Sequence, residues 1–110
     1  MTPQFQYSAK VEQVVDADTV DLLIDLGLRC SVRIRARLYG IDAPERFTLA
    51  GREATTFVTV HIAGVRSQVI VKTYKDPIDK YGRWVADLFI NGRSLSELLI
   101  EAGHAVRKEY

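Results

Sequence analysis

The sequence contains little cysteine, no long apolar run and almost no net charge. Its single cysteine, Cys30, cannot form a disulfide within the chain. No run approaches the roughly 18 consecutive apolar residues that a membrane span requires. The polar start, Thr2-Pro3-Gln4, lacks the basic and apolar pattern of a signal peptide. We therefore expect no membrane association and, for the chain as given, a cytoplasmic location.

The formal net charge is +1, from 15 Lys and Arg against 14 Asp and Glu. This balance argues against a protein that holds nucleic acid by its overall charge alone. Any anion binding must therefore be local. Basic and acidic clusters can coexist in such a chain, and a site for a metal ion and a phosphate needs both.

The 110 residues are enough for one compact domain with a core, and 47% of them are apolar. No repeat, linker or low-complexity stretch interrupts the chain. We therefore expect a single domain covering residues 1–110.

Alternating apolar residues and turn signals predict five strands, at 7–15, 19–25, 30–38, 68–74 and 84–90. A helix is predicted over 52–63 from apolar residues at helical spacing. A second helix begins at a capping box of Ser94 and Glu97, and Gly103 is placed to end it. This order predicts an α+β fold, in which a small closed barrel with packed helices leaves no strand edge exposed. The pattern also assigns Trp84, Phe57 and Phe89 to the core.

The third predicted strand carries a row of arginines. Its apolar residues, from Cys30 through Leu38, alternate with Arg33, Arg35 and Arg37. The alternation predicts a half-buried strand with one apolar face. For Arg33 and Arg35, the simplest interpretation is a solvated face. Arginine also suits phosphate chemistry, because its planar fork donates two parallel hydrogen bonds.

Carboxylates occur in two predicted loops, with Asp16, Asp18 and Asp21 near the first turn and Asp42 and Glu45 after the arginine strand. Hard cations such as calcium take several oxygen ligands, so aspartates from two loops could begin such a site. Aspartate is also a common turn residue, since its side chain accepts hydrogen bonds from nearby backbone N–H groups. Spacing alone leaves both interpretations open.

Three segments together resemble the staphylococcal nuclease-like domains. They read VDADTV at 15–20, RLYGIDAPE at 37–45 and DKYGR at 79–83, and the resemblance extends over about residues 9–107. It implies an α+β fold with a five-stranded barrel of the oligonucleotide-binding (OB) type and two packed helices. Ala17 stands where glycine is usual, which requires that the turn there does not need a positive φ. The chain also lacks the family's usual additional C-terminal helix, and self-association could replace it.

The resemblance implies a calcium-dependent endonuclease that acts on DNA, RNA or both, with another divalent cation as an alternative to calcium. Asp18 and Asp42 match the metal carboxylates, and Ala43 stands where the family supplies a backbone carbonyl. Thr19 and Asp16 are candidates for the outer shell of the metal.

The resemblance also implies the residues that act on the substrate. Glu45 matches the general base, and Arg37 and Arg83 match the two phosphate-binding arginines. Substrate contacts are expected from Lys80, Tyr81 and Tyr110. Tyr81 matches a family position near the substrate phosphate, and an aromatic ring can stack on any base. For Tyr110, and for Tyr39, a structural or merely exposed role is the alternative. The family reaction leaves a 3′-phosphate and a 5′-hydroxyl.

Two other classes of function remain. A nuclease-like barrel can bind nucleic acid or protein without cutting, although such domains typically lack several of these charged positions. A purely structural subunit would not explain why all of them are present. The complete set of charged residues favours the enzyme.

Overall fold

The computed structural model describes residues 5–78 and 82–108, except for the side chains of 75–78. In chain order the elements are β1 (Gln6–Asp16), β2 (Thr19–Gly27), β3 (Cys30–Leu38), β4 (Ile41–Asp42), α1 (Leu49–Gly64), β5 (Gln68–Ile78), β6 (Trp84–Ile90), β7 (Arg93–Ser94), α2 (Leu95–Glu101) and β8 (Val106–Arg107). The five predicted strands and both helices are present. None of the helices in this part of the chain is long and apolar enough to cross a bilayer.

The five long strands form a closed barrel in the order β3, β2, β1, β5, β6. Neighbours along this order are antiparallel, and a short parallel ladder between β3 and β6 closes the ring, from Ala36 beside Trp84 to Leu38 beside Ala86. Register shifts in β1 after Val11 and Val14 mark bulges or irregularities. Bulges increase strand twist, which a small barrel needs in order to close. The predicted α+β barrel is confirmed.

The core fills the barrel and the space beneath the helices. On β2 the alternation predicted from sequence holds, since Val20, Leu22 and Ile24 are buried. Each such side chain contributes about 2 kcal/mol through the area that it removes from water. The largest fully buried side chains are Leu22, Leu38, Ile41, Leu88, Leu95, Leu99, Val20, Val58 and Val71.

Two predictions about the core are wrong. The first half of β3 is exposed on both faces, including Cys30 and Val32. Only Ala36 to Leu38 pair with β6, so the closed part of the barrel includes this end of β3, and none of the described residues buries the outer part of the strand. Trp84 and Phe89 are half-buried rather than core residues, and Phe57 is partly buried against the core. Trp84 begins β6 at the barrel end, and Phe89 pairs on the outer face with the exposed Ile70.

Helix α1 begins earlier than predicted, because Thr48 caps it. The Thr48 hydroxyl accepts a hydrogen bond from the N–H of Gly51 at 2.9 Å, which satisfies one of the helix's unpaired donors. The buried stripe is Gly51, Ala54, Val58 and Ile62, at helical spacing. This stripe turns α1 toward the core and leaves the N-terminal end of the helix beside the loop that follows β4.

Helix α2 is short and capped at both ends. Ser94 accepts from the N–H of Glu97 at 3.4 Å, as the capping box predicts, whereas the Glu97 carboxylate accepts two hydrogen bonds from Arg107, at 3.0 and 3.1 Å. Gly103 has a φ of +78°, and the N–H of His104 returns to Leu99 O at 2.9 Å. Gly103 thus ends the helical region as predicted and sends the chain into β8.

Candidate active site

The turn between β1 and β2 and the end of β3 bring Asp18 beside Arg37. Asp18 lies in that turn, and the next residue, Thr19, pairs with Arg37 across the β2–β3 ladder. The N–H of Leu38 donates to Asp18 O at 2.8 Å, which fixes the turn against β3. Ala17 has no positive φ, so its departure from glycine is accommodated. All three polar residues are buried, with Asp18 8%, Thr19 2% and Arg37 6% exposed.

Arg83 reaches the same place through the parallel ladder that closes the barrel. It precedes Trp84, which pairs with Ala36 on β3. The Arg83 Nη1 donates to Thr19 Oγ1 at 3.2 Å, and that hydroxyl in turn donates to Asp18 Oδ1 at 3.1 Å. Residues 65 positions apart along the chain are therefore joined by two hydrogen bonds through Thr19.

Strand β4 supplies a second carboxylate. Arg37 donates from Nη2 to Asp42 Oδ1 at 2.9 Å, and its Nη1 lies 3.3 Å from Asp18 Oδ2. The N–H of Ala43 donates to the same Asp18 oxygen at 3.1 Å. One guanidinium thus bridges carboxylates from two loops. Removing it would leave a buried carboxylate without its counter-charge, which is strongly destabilising.

Glu45 is exposed, and the start of α1 holds its backbone in place. Its carbonyl accepts from the N–H of Thr48 at 3.0 Å and from the Thr48 hydroxyl at 2.8 Å. A Cβ built on Gly51 would lie 1.7 Å from Glu45 O, closer than real atoms approach. Only glycine at position 51 lets the helix approach this loop so closely.

These residues line one cleft of about 260 Å³. In the described part of the chain, its walls carry four carboxylates and three cations. The carboxylates are Asp16, Asp18, Asp42 and Glu45, and the cations are Arg37, Arg83 and Lys108. The structure therefore brings together every predicted metal and catalytic residue in the described part of the chain, with Ala43 in the wall and Thr19 hydrogen-bonded beneath it.

Three predicted substrate contacts, Lys80, Tyr81 and Tyr110, lie outside the described residues. Sequence reasoning missed Lys108, because its position depends on the pairing of β8 with β4, for which the sequence gives no sign. It also missed the link from Gly51 and Thr48 to Glu45. A threonine directly before a helical pattern is a cap signal, so Thr48 could have been found.

The family model described as Staphylococcal nuclease homologue matches residues 35–110, which include Arg37, Asp42, Glu45 and Arg83. This match covers more than half of the chain. The chain belongs to the staphylococcal nuclease family.

Curated relatives of this nuclease-family chain agree with that placement. A probable staphylococcal-like nuclease of Oryza sativa subsp. japonica, CAN2, is 37% identical over 73 residues, which are 66% of this chain and 19% of the rice protein. The staphylococcal-like nuclease CAN1 of Arabidopsis thaliana is 36% identical over 73 residues, 66% of this chain and 21% of that protein. An uncharacterized endonuclease of Escherichia coli O157:H7 is 32% identical over 97 residues, 87% of this chain and 58% of its own length. The chain thus spans about a fifth of the plant relatives and just over half of the bacterial one.

The cleft supplies oxygen ligands for a metal ion, but only a few of them. Among the described residues, no group of three or more His, Cys, Asp or Glu is arranged to hold a metal. The two carboxylates that match the family's metal ligands are Asp18 and Asp42, and the Asp42 side chain is 53% exposed. This set fits a hard cation that takes the rest of its shell from backbone, water and phosphate oxygens. It does not fit a metal enclosed by protein ligands.

Arg33 and Arg35, the two outer arginines of β3, form ion pairs on the surface of the barrel. Arg33 Nε lies 3.0 Å from Glu12, and Arg35 donates two hydrogen bonds to Asp21, at 2.8 and 3.1 Å. Both arginines are exposed. The expectation of a solvated face is confirmed for these two, whereas Arg37 on the same row is buried in the cleft.

Outside the cleft, a tyrosine and an aspartate form a hydrogen-bonded pair on the outer face of the barrel. Tyr74 Oη donates to Asp87 Oδ2 at 2.9 Å, and the Tyr39 ring lies 5.2 Å from the Tyr74 ring. Desolvation, then the bond to Asp87, raises the pKa of Tyr74 to about 12. Desolvation also raises the pKa of Asp87, against the opposing effects of the Tyr74 hydrogen bond and the charge of Lys72. The hydrogen bond ties β5 to β6 outside the cleft.

Proposed function

We propose that this domain is a calcium-dependent nuclease that hydrolyses phosphodiester bonds in DNA or RNA. The observation that carries the proposal is the convergence of Asp18, Asp42, Glu45, Arg37 and Arg83 on one cleft, from five separate positions in the fold. Membership of the staphylococcal nuclease family and relatives with nuclease names support it.

Glu45 is the proposed general base. Attack on a phosphodiester requires a water molecule to lose a proton, and a carboxylate within hydrogen-bond reach can accept it. Glu45 is exposed at the cleft wall, so water reaches it. The hydrogen bonds from Thr48 to its carbonyl hold its backbone against the helix. This anchoring limits the directions from which its carboxylate can approach substrate.

Arg37 and Arg83 are the proposed phosphate ligands. Hydrolysis adds negative charge to a group that is already anionic, so fixed donors stabilise the transition state more than the ground state. Arg37 has five N–H donors and meets three acceptors, on Asp18, Leu38 and Asp42. Each well-placed donor is typically worth roughly 3 kcal/mol of barrier, so loss of either arginine costs on the order of 100-fold in rate.

Calcium is the proposed cofactor, held by Asp18 and Asp42 with the carbonyl of Ala43, and with Thr19 and Asp16 outside that shell. When bound, it supplies positive charge that polarises the phosphoryl oxygen. The family's established activity and the oxygen-only donor set favour a hard cation over a transition metal. Arg37 bridges the same two carboxylates, so a bound cation would share these anions with the guanidinium.

A cleavage time course tests the proposal. Purified protein is incubated with single-stranded DNA and with RNA, first in calcium and then in excess chelator. Glu45→Gln removes the base, and Glu53→Gln is the matched control, because Glu53 is an exposed glutamate of α1 outside the cleft. The expected result is cleavage in calcium that the chelator and Glu45→Gln abolish, that Glu53→Gln retains, and that leaves 3′-phosphate ends.

Two outcomes would contradict the proposal. Cleavage at an equal rate in Glu45→Gln would exclude Glu45 as the base. Binding of the oligonucleotide without cleavage in any divalent cation would assign the barrel to the other class, a recognition module that does not cut.

A further inference from the structure

Strand β8 fixes the chain at Lys108 against the wall of the cleft. Val106 pairs with Asp42, and Arg107 pairs with Ile41. The N–H of Lys108 then donates to Gly40 O at 2.9 Å. Three successive residues are thus tied to the segment that carries the second carboxylate. The backbone of Lys108 is placed as firmly as the strand beside it.

The side chain of Lys108 is exposed and lines the same cleft as the proposed catalytic residues. It enters from a different side. Arg37 and Arg83 are both bonded to the Asp18–Thr19 turn, at 3.3 and 3.2 Å. Lys108 belongs to the β4–β8 edge instead. The cleft therefore carries cations on two separate sides, with Arg37 and Arg83 on one and Lys108 on the other.

The charges of the cleft show why a third cation matters. Among the described residues, and before a metal ion binds, its four carboxylates outnumber its three cations, so without Lys108 the excess of negative charge would double from one to two. A polyanion approaching such a wall meets repulsion that salt bridges within the wall do not remove. A lysine differs from the two arginines, since it is a compact charge on a flexible stem that tolerates many phosphate positions.

We infer that Lys108 is a substrate-binding residue that contacts a phosphate next to the one being cut. The inference rests on the proposed nuclease function and adds to it a preference for chains over single phosphodiesters. A phosphate at this place is held in the ground state and the transition state alike. Loss of the contact between Lys108 and this phosphate is therefore expected to raise KM and to leave kcat nearly unchanged.

The test compares two substrates across three variants. Lys108→Gln removes the charge, and Lys108→Arg keeps it. Lys10→Gln is the control, because Lys10 is an exposed lysine on β1 outside the cleft. The substrates are a single-stranded oligonucleotide and a small aryl phosphodiester with one phosphate. Binding of the labelled oligonucleotide is also measured against salt concentration in chelator, where no cleavage occurs.

For Lys108→Gln we expect KM for the oligonucleotide to rise about 5-fold, the size of one partly solvated ion contact. The slope of log affinity against log salt should fall by about 0.7, the value for one phosphate of a single strand. The effect on the small phosphodiester should be smaller, Lys108→Arg should restore most of the affinity, and Lys10→Gln should change neither substrate.

Equal losses on both substrates would show that Lys108 acts through the structure of the cleft, and would overturn the inference. Unchanged oligonucleotide binding and KM in Lys108→Gln would also overturn it, while leaving the nuclease proposal intact. Wild-type protein that neither binds nor cuts the oligonucleotide would overturn both.

Discussion

Substitution of Gly51 by alanine tests how the fold positions the proposed base. A Cβ at this site would lie 1.7 Å from Glu45 O and 2.3 Å from Glu45 C. Both atoms belong to the backbone, so no side chain can turn aside. Relief of the clash to an ordinary contact of about 3.4 Å requires the loop and the helix to separate by more than 1 Å.

The separation has two consequences with different sizes. Overpacking of this kind costs typically 1–3 kcal/mol of stability, about 1 kcal/mol of which the better helix propensity of alanine returns. The melting temperature should therefore fall by up to about 10 °C. A displacement of about 1 Å at a reacting group costs on the order of 100-fold in rate, so kcat should fall much further than the loss of folded protein explains.

Gly64→Ala is the matched control, because Gly64 ends the same helix and a Cβ there would meet nothing within 4 Å. Melting temperature and kcat are measured for both variants below the melting transition. We expect Gly64→Ala to retain activity and stability. Full activity in a folded Gly51→Ala protein would refute the claim that the contact with α1 positions Glu45.

Three further predictions concern the charged groups. Arg37→Met should cost about 2 kcal/mol in urea unfolding, because the buried Asp18 carboxylate loses its counter-charge while the Asp42 carboxylate is half-exposed. Calcium should raise the melting temperature of this variant more than that of wild type, because the cation no longer competes with Arg37. An equal shift in both proteins would show that Arg37 and calcium do not share these carboxylates. Tyr74→Phe should cost about 1 kcal/mol at neutral pH, since Asp87 loses a hydrogen bond. Because the pKa of Tyr74 is raised to about 12 in the fold, its protonated hydroxyl stabilises the folded state below pH 10, and this stability is lost as pH rises through about 12. The free energy of unfolding of Tyr74→Phe should therefore fall less than that of wild type between pH 10 and 12. Arg33→Gln and Arg35→Gln should each leave stability and cleavage nearly unaltered, because both ion pairs are exposed. A large loss of activity in either variant would place substrate on that face.

Much of this fold follows from local patterns. Alternation predicted β3 and β6 to the residue, because each is bounded by a turn that its own residues dictate. Asn91 and Gly92 both have positive φ, as the turn after β6 requires. The cap at Ser94 and the end near Gly103 followed from chemistry within a few residues.

The rest depends on contacts between distant parts of the chain. The alternation of β3 could not show which half of the strand is buried. Burial is confined to Ala36–Leu38, where β3 pairs with β6 across the closed barrel. Lys108 reached the cleft through β8, a strand of two residues that carries no period of its own. Resemblance identified the charged residues of the cleft other than Lys108, but the bridge that Arg37 makes between Asp18 and Asp42 depends on how β3 and β4 pack together.

The most direct test of the account is the cleavage rate of a Glu45→Ala/Arg83→Ala double variant beside wild type, purified in the same way and assayed on single-stranded DNA in calcium. Both residues lie in the cleft wall, outside the buried core. The account predicts a folded variant whose rate falls by at least about 100-fold, since it lacks the base and one phosphate donor. Cleavage at the wild-type rate would contradict it and would place the nuclease activity elsewhere.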